Sequence, residues 1–309
     1  MRHFINLKDI PAKDLRKIIE DAKKRKALRK NLNNLDLDKG TPLKGKLLIQ
    51  MFEKSSLRTR LSFYLAIKQL GGSTLTLRPD ELHLSKGAES IEDTARILSN
   101  FGNAFMLRTD SDEKLTEFKK YLSIPIINGL SPSSHATQIL SDVFTVEEIK
   151  KKSISKLNIT WIGDSNNVLN SLIAASIKFS FKLNIGCPKN YEPKKDIKNY
   201  IKRNKNKIFI YNDAKKAATN ADVIFSDKVI SMNDKVNKTK KLKYFKKFKI
   251  DKKLLNYAKK DCIFLHCLPR GKEVDEKIFY SKQSKVWQQA LNRVHVQKSI
   301  LLYCFGKLR

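Results

Sequence analysis

The chain has 309 residues, 41% hydrophobic and 30% charged, so it is long enough for two globular domains and is not a disordered polypeptide. Its 63 Lys and Arg residues outnumber 31 Asp and Glu residues, which gives a formal net charge of +32. The basic residues are spread along the whole chain, which favours compositional drift over a dedicated polyanion-binding surface. No uncharged apolar run approaches the roughly 18 residues of a membrane span, so a membrane-spanning helix is excluded.

The cysteines and the N-terminal segment indicate the compartment. The four cysteines are Cys187, Cys262, Cys267 and Cys304. They show no close CxxC pairing, which predicts neither a zinc site nor a disulfide framework. The first residues include Asp9 and Asp14 and no long apolar run, which argues against a secretory signal. We therefore expect a cytoplasmic protein.

In the first half of the chain, short apolar runs alternate with longer helical patterns. The predicted strands are 47–51, 74–77, 104–108 and 125–127, and the predicted helices are 56–70 and 91–101. Such alternation is typical of βαβ units and parallel sheets, so the fold class is α/β.

The second half repeats the pattern after a helical segment, 135–150, that we expect to bridge two domains. Its predicted strands are 159–162, 183–186, 208–211, 223–226 and 263–265, and its predicted helices are 168–179, 213–219 and a terminal helix beyond Trp287. The Lys-rich stretch 231–250 has little periodicity and is predicted to be a mobile loop, either a lid or an ordinary solvated insertion. Two parallel sheets follow from this reading.

The segment FEKSSLRTR, residues 52–60, follows a predicted strand and opens a helix. A phosphate at such a turn would receive backbone N–H groups, the positive end of the helix, two hydroxyls and a guanidinium, those of Ser56, Thr59 and Arg58. Taken alone, Ser56 could equally be an ordinary helix cap and Arg58 a solvated side chain.

Five further polar clusters lie where predicted strands end. They are Arg108, HATQ at 135–138, GDSNNVLNS at 163–171, SDKVISMND at 226–234 and HCLPR at 266–270. Each has an ordinary structural alternative, such as a turn for Asp164 and Asn166 or a small buried residue for Cys267. Because ligands of open α/β sheets bind beyond the carboxyl ends of the strands, we expect these clusters to form a binding site.

These ordered motifs resemble the ornithine carbamoyltransferases. FEKSSLRTR resembles the family's FEKxSTRTR, and HATQ matches HPCQ at its His and Gln. DSNNVLNS is similar to DxNNVxNS, DKVISM to DxWxSM, and HCLPRGKEV to the HCLP segment. The final ALNRVHVQKSILLYCFG looks like the family's last helix, so the resemblance spans nearly the whole chain.

The resemblance implies two domains, each a parallel sheet flanked by helices. Residues 1–137 would form a carbamoyl phosphate-binding domain, completed by a C-terminal helix at 290–309 that packs back on it. Residues 138–289 would form the ornithine-binding domain.

The resemblance also implies roles for individual residues. The residues expected to bind carbamoyl phosphate are Ser56, Leu57, Arg58, Thr59, Arg108, His135, Gln138, Cys267, Leu268 and Arg293. Those expected to bind ornithine are Asn167, Asp227, Ser231 and Met232. The residues expected to act in catalysis are Arg108, His135, Asp227 and Cys267.

Transfer of a carbamoyl group to an amine explains why these residue types are needed. Attack by the amine places negative charge on the carbamoyl oxygen, so fixed donors such as Arg108, His135 and Thr59 lower the barrier. The amine must lose its proton, which Asp227 with Cys267 would favour. The reaction requires no metal or organic cofactor. The resemblance further implies a homotrimer in which the region of His83–Gly87 closes a neighbour's site, with no membrane or specific nucleic acid as partner.

Several positions depart from the family pattern. Leu57 stands where the family usually has Thr, and Ala136 and Thr137 replace Pro and Cys. Val229 replaces Trp and Asn233 replaces Gly in the segment that recognises the amino acid. The HCLP segment and the Ser-Met pair still favour ornithine, so the predicted activity is formation of citrulline from ornithine for arginine biosynthesis. Another acceptor amine, such as N-acylornithine or putrescine, and a basic polyanion-binding protein with a degenerate site remain the alternatives.

Overall fold

The computed structural model describes residues 1–78, 89–204, 207–230 and 237–308, which form two compact units. The first unit contains Met1–Phe144 and Leu291–Arg309, and the second contains Thr145–Ala290. The division after Phe144 lies inside the bridging helix, whereas the sequence predicts a domain boundary after residue 137.

The first unit is built on a four-stranded sheet. Its strands are β1 (Leu47–Phe52), β2 (Ser73–Leu77), β3 (Ala104–Arg108) and β4 (Ile126–Leu130). Its helices are α1 (Ala12–Leu28), α2 (Leu57–Gln69), α3 (Ile91–Phe101), α4 (Asp112–Tyr121) and α5 (Ala136–Lys150), which continues into the second unit. All neighbouring strands pair in parallel, in the order β2-β1-β3-β4. The predicted α/β class and the four predicted strands are confirmed.

Serine caps set the starts of three helices in this unit. Ser56, Ser90 and Ser111 accept hydrogen bonds from the backbone N–H groups three residues later, at the starts of α2, α3 and α4. Each cap satisfies a donor that the first helical turn leaves open, so the chain turns into a helix at that point. The caps of α2 and α4 lie within four residues after β1 and β3, which places these helix N-termini beside the carboxyl ends of the strands.

The second unit is built on a five-stranded sheet. Its strands are β5 (Asn158–Ile162), β6 (Lys182–Gly186), β7 (Ile208–Tyr211), β8 (Val223–Ser226) and β9 (Ile263–His266). Its helices are α6 (Asn167–Phe179), α7 (Lys195–Arg203), α8 (Ala214–Ala218), α9 (Lys238–Phe245), α10 (Lys252–Leu255) and α11 (Glu276–Phe279). The strands pair in parallel in the order β7-β6-β5-β8-β9, with β5 buried at the centre.

The prediction of a mobile loop across 231–250 is wrong for its second part. There the chain forms α9, followed by a 3-10 turn at Lys246–Phe248. Asn237 caps α9, and Lys241 and Phe245 bury one face of the helix at i, i+4 spacing. Because one of the two buried positions is a lysine, the apolar periodicity of this helix is hidden in the sequence.

The terminal helix α12 (Val286–Cys304) packs against the first unit, as predicted. Its buried Lys298 contacts Asp38 at 2.9 Å, and Asp38 also accepts from Arg29 at 2.7 Å. The hydroxyl of Ser299 donates to Asp21 of α1 at 2.6 Å. Polar side chains therefore fasten this helix, since each buried charge has an opposite charge or a hydrogen-bond partner. Across the described ranges, no helix is long and apolar enough to cross a membrane.

The buried imidazole of His295 on α12 makes the stability of the protein sensitive to acid. Burial, together with the nearby charges of Lys298, Lys26 and Arg29, lowers the pKa of His295 to about 3. The unfolded chain takes up this proton near pH 6.5, whereas the folded chain does not. As the pH falls from 6.5 toward 3, the free energy of unfolding therefore falls by up to about 1.4 kcal/mol per pH unit on account of this residue.

We predict that His295→Gln loses less stability than the wild type on acidification. The difference in the loss between pH 7 and pH 5 should be about 2 kcal/mol, measured by urea unfolding at both pH values. The carboxylates titrate in both proteins and cancel in the comparison. Parallel losses in the two proteins would show that His295 takes up its proton normally in the folded state.

Candidate functional site

In the first unit, the turn from β1 into α2 carries hydroxyl and guanidinium groups. The hydroxyl of Ser56 caps α2 by accepting from the Thr59 backbone N–H at 3.4 Å. The Thr59 hydroxyl is buried and accepts from an Nη atom of Arg293 at 2.8 Å, which joins α12 to this turn. Because arginine can only donate, the Thr59 hydroxyl hydrogen remains for a further acceptor. Leu57 is 70% exposed, and its apolar side chain has no donor or acceptor. This residue can therefore hydrogen-bond a ligand through its backbone only.

Arg108 ends β3, directly beside the end of β1. Phe52 pairs with Arg108 in the sheet, and the Glu53 backbone N–H donates to the Arg108 carbonyl at 2.9 Å. The Glu53 carboxylate accepts from the Thr109 hydroxyl and, at 2.7 Å, from Lys114. Glu53 thus ties the β1 turn to the loop after β3, and this role is not evident from its place in the sequence motif.

His135 lies just before α5 and is surrounded by cations. Burial lowers its pKa well below the usual value, and the positive charges of Arg293, Arg108 and Arg58 lower it further. The imidazole is therefore neutral near pH 7, so it supplies one N–H donor and adds no charge. The charges of Arg58, Arg108 and Arg293 therefore lie close enough to His135 to act on its ionisation.

Gln138, in the first turn of α5, has a fixed amide orientation. Its Nε2 donates to the buried Asp142 at 2.8 Å, because a carboxylate accepts and does not donate. Its Oε1 is buried and has no hydrogen-bond partner among the residues that the structure describes. A buried acceptor of this kind is costly unless a ligand N–H pairs with it.

These groups combine several cationic and backbone donors with one unsatisfied acceptor. Arg58, Arg108 and Arg293 supply positive charge, and the N-termini of α2 and α5 supply backbone N–H groups. A phosphate group linked to an amide-like NH₂ matches both features, since Gln138 can accept from the NH₂ while the arginines bind the oxygens.

In the second unit, the Asp227 carboxylate joins three strand ends. Asp227 follows β8 and accepts from the Asn166 amide at 2.7 Å and from the Cys267 thiol at 2.8 Å. Asn166 follows β5 and caps α6, while Cys267 follows β9. Because β5, β8 and β9 are adjacent and parallel, their carboxyl ends bring these side chains together.

A second buried carboxylate organises the loop that presents Cys267. The Leu268 backbone N–H donates to Nδ1 of His266, so Nε2 carries the hydrogen and donates to Glu273 at 3.1 Å. Burial alone would raise the pKa of Glu273, but the hydrogen bonds from the His266 ring and the Gly271 N–H hold it below its usual value. Glu273 also accepts from the Val229 N–H at 3.4 Å, so it links this loop to the segment after Asp227.

The structure places most of the predicted site residues within one of two groups. The first unit holds Ser56, Leu57, Arg58, Thr59, Arg108, His135, Gln138 and Arg293. The second unit holds Asn167, Asp227, Cys267 and Leu268, with Asn167 beside Asn166 at the start of α6. Ser231, Met232 and the segment His83–Gly87 lie outside the described residues.

Sequence reasoning missed three residues that organise these groups: Glu53, Asn166 as a partner of Asp227, and Glu273. Each lies inside a motif, but its role depends on which strand end is its neighbour in space. Nothing in the described ranges groups three His, Cys, Asp or Glu side chains as a metal site would.

The four thiols differ in exposure, which predicts their reactivity. Burial raises the pKa of Cys187 and of Cys262 to about 12, and it raises that of Cys304 still further. Cys267 is partly exposed. A thiolate is the reactive form and needs access to the reagent.

We predict that iodoacetamide labels the folded protein once, at Cys267, as read by mass spectrometry, and that Cys267→Ser stays unlabelled. Labelling at another cysteine of the folded protein would contradict the placement.

Comparison with known proteins covers the whole chain. The model of the aspartate/ornithine carbamoyltransferase carbamoyl-P binding domain matches residues 2–148, and that of the Asp/Orn binding domain matches residues 155–304. The ornithine carbamoyltransferase of Agrobacterium fabrum is 38% identical over 99% of this chain and 98% of its own length. That of Ruthia magnifica is 41% identical over 98% of this chain and 99% of its own length.

Solved structures agree with the sequence comparisons. The ornithine carbamoyltransferase from Pyrococcus furiosus superposes with a TM-score of 0.90 at 36% identity, covering 97% of this chain and 96% of that one. The anabolic enzyme from Campylobacter jejuni gives the same TM-score and identity, covering 99% of this chain and 100% of that one. The chain therefore belongs to the aspartate/ornithine carbamoyltransferase family.

Proposed function

We propose that this protein is an ornithine carbamoyltransferase, which converts carbamoyl phosphate and L-ornithine into citrulline and phosphate. The observation that supports this proposal most directly is that the two units hold chemically complementary clusters of side chains. The cluster in the first unit is cationic, and the cluster in the second unit is acidic. Full-length relatives and structural neighbours with this name support the choice of ornithine.

The first unit would bind the donor substrate. The arginines near His135 and the N–H groups at the start of α2 suit the phosphate, with Ser56 and Thr59 adding hydroxyls. His135, which is neutral, and the guanidinium of Arg108 would donate to the carbamoyl oxygen, where negative charge develops during attack. The unsatisfied Oε1 of Gln138 would accept from the carbamoyl NH₂, which orients the reacting carbon.

The second unit would bind and deprotonate the acceptor. The side-chain ammonium of ornithine suits the carboxylate of Asp227, which Asn166 and Cys267 hold in place. After proton loss toward this carboxylate, the amine nitrogen bonds to the carbamoyl carbon. The bond between that carbon and the phosphate oxygen then breaks, and phosphate leaves with the electron pair and takes the second proton from the attacking nitrogen. Asn167, Ser231 and Met232 are proposed to hold the amino-acid end, and Cys267 and Leu268 to border the reacting centre.

Burial of Val229 bears on the choice of acceptor. Val229 replaces the Trp that the family pattern usually has, but its side chain is 3% exposed and lies in the apolar core of the second unit. The replacement therefore changes packing beneath the segment after Asp227, which favours retention of ornithine over a different amine.

An acceptor panel tests the proposed activity. The purified protein should form citrulline from carbamoyl phosphate and ornithine, with kcat/KM at least about 100-fold above that for putrescine, N-acetylornithine or aspartate. A preference for another amine would change the substrate assignment. Absence of turnover together with salt-sensitive nucleic-acid binding would instead support a polyanion-binding protein.

The proposed phosphate contact of Arg58 can be tested separately. Arg58→Ala should weaken carbamoyl phosphate binding by about 100-fold, because charge-assisted hydrogen bonds to the phosphate are lost. Titration calorimetry with carbamoyl phosphate measures the change, and inorganic phosphate serves as a stable second probe. Arg60→Ala is the matched control, since exposed Arg60 lies on the same helix over the Phe52 ring. Equal dissociation constants for wild type and Arg58→Ala would exclude the proposed contact.

The proposal extends to a cytoplasmic homotrimer acting in arginine biosynthesis, supported by resemblance. Light scattering should give a mass about three times the 35.6 kDa of one chain. A monomeric mass with full activity would contradict the trimer.

A further inference from the structure

One buried ion pair in the second unit lies outside the proposed substrate contacts. Lys241 of α9 is 3% exposed, and its Nζ lies 2.6 Å from Oδ2 of Asp164. The same ammonium lies 5.6 Å from the ring centroid of Tyr191. A buried ammonium is stable only where it keeps an opposite charge or an aromatic face. These contacts therefore fix the position of α9 relative to Asp164 and Tyr191.

Asp164 belongs to the turn that also supports the acceptor group. The turn follows β5, and the indole N–H of Trp161 donates to the Asp164 carbonyl at 3.2 Å. Two residues later, the Asn166 amide donates to Asp227. One short turn therefore holds both Asp227, after β8, and Lys241, in α9.

The chain between Asp227 and Lys241 is consequently tethered at both ends. At its start, Asp227 is bound by Asn166 and Cys267, and the Val229 N–H donates to Glu273. At its end, Asn237 caps α9 and Lys241 binds Asp164. The ion pair with Lys241 and the hydrogen bond to Asp227 both depend on the turn after β5, so a shift of α9 acts on this turn and through Asn166 on Asp227.

We propose that the ion pair between Lys241 and Asp164 is a positioning element of the acceptor site. It holds α9 against the turn after β5 and thereby keeps Asp227–Ile230 in the arrangement that receives the acceptor amine. The proposal rests on the proposed function, and it makes Lys241 a residue that acts through Asp227 without touching substrate. A purely structural ion pair would affect stability alone.

The chain offers a matched control for the test. Lys150 has a side chain that is only 7% exposed, and its ammonium pairs at 3.0 Å with Asp261, whose side chain is 75% exposed. Asp261 precedes β9, at the amino end of the strand, whereas Asp164 follows β5 at the carboxyl end. Lys241→Met and Lys150→Met therefore each remove one lysine charge from an ion pair, at opposite edges of one sheet.

Steady-state kinetics distinguish positioning from stability. Lys241→Met should raise the KM for ornithine by about 10-fold to 100-fold, with the KM for carbamoyl phosphate within about twofold of wild type. Lys150→Met should lower the melting temperature and leave both KM values unchanged. Asp164→Asn keeps the side-chain volume and an acceptor for Lys241, so it provides a milder variant that should shift the ornithine KM in the same direction.

Two kinetic outcomes would overturn the proposal. One is an unchanged ornithine KM in both Lys241→Met and Asp164→Asn, and the other is an equal change in Lys150→Met. Amide hydrogen exchange gives a readout that needs no turnover. In Lys241→Met, exchange should accelerate in α9 and Asp227–Ile230, and in Lys150→Met it should not. If the wild type forms no citrulline, the proposed function fails, and this exchange pattern alone decides whether the ion pair fixes the segment.

Discussion

Parallel pairing of the strands is the constraint on which both groups of polar residues depend. Within each sheet every neighbouring pair is parallel, so all carboxyl ends lie along one edge. Residues far apart in sequence, such as Asn166 and Asp227, are thereby brought within hydrogen-bonding distance without any local signal for contact. The apolar interiors of β1, β3, β5 and β8 stabilise the sheets, and the polar residues that follow these strands are left to bind ligands.

The polar residues at the two sheet edges carry opposite charge. In the first unit, burial and, to a lesser degree, the nearby guanidinium groups lower the pKa of His135, so the site gains a neutral donor among three cations. In the second unit, the carboxylates of Asp227 and Glu273 accept hydrogen bonds from Asn166, Cys267, His266 and backbone N–H groups. A phosphate and an ammonium would each find the opposite sign of charge. The net charge of +32 therefore says little about the chemistry, which depends on a few groups and on the hydrogen-bond partners and charges around them.

Sequence patterns predicted the strands well because each is a short apolar run with polar ends. β3, β7 and β8 begin and end where the periodicity indicated. The missed helix α9 shows the limit of this signal, since its buried Lys241 depends on Asp164, which lies 77 residues away. Candidate residues were found from their motifs, whereas their supports, Glu53 and Glu273, could not be, because a carboxylate that bridges two loops has no sequence pattern of its own. Hydrogen-bond partners across strands are fixed only when the sheet order is known.

Asn233 lies outside the described residues, and the other departures from the family pattern fall where the site needs backbone or core rather than the lost side chain. Leu57 is exposed, so the turn keeps its N–H groups while one hydroxyl is absent. Ala136 and Thr137 are fully buried in the first turn of α5. They lie between His135 and Gln138, whose placement the helix itself preserves. Val229 is likewise buried, and its backbone N–H still reaches Glu273. Since hydrogen bonds from the backbone are indifferent to the side chain attached, these positions can vary while Arg58, His135, Gln138 and Asp227 cannot be exchanged without loss of charge or of a specific donor or acceptor.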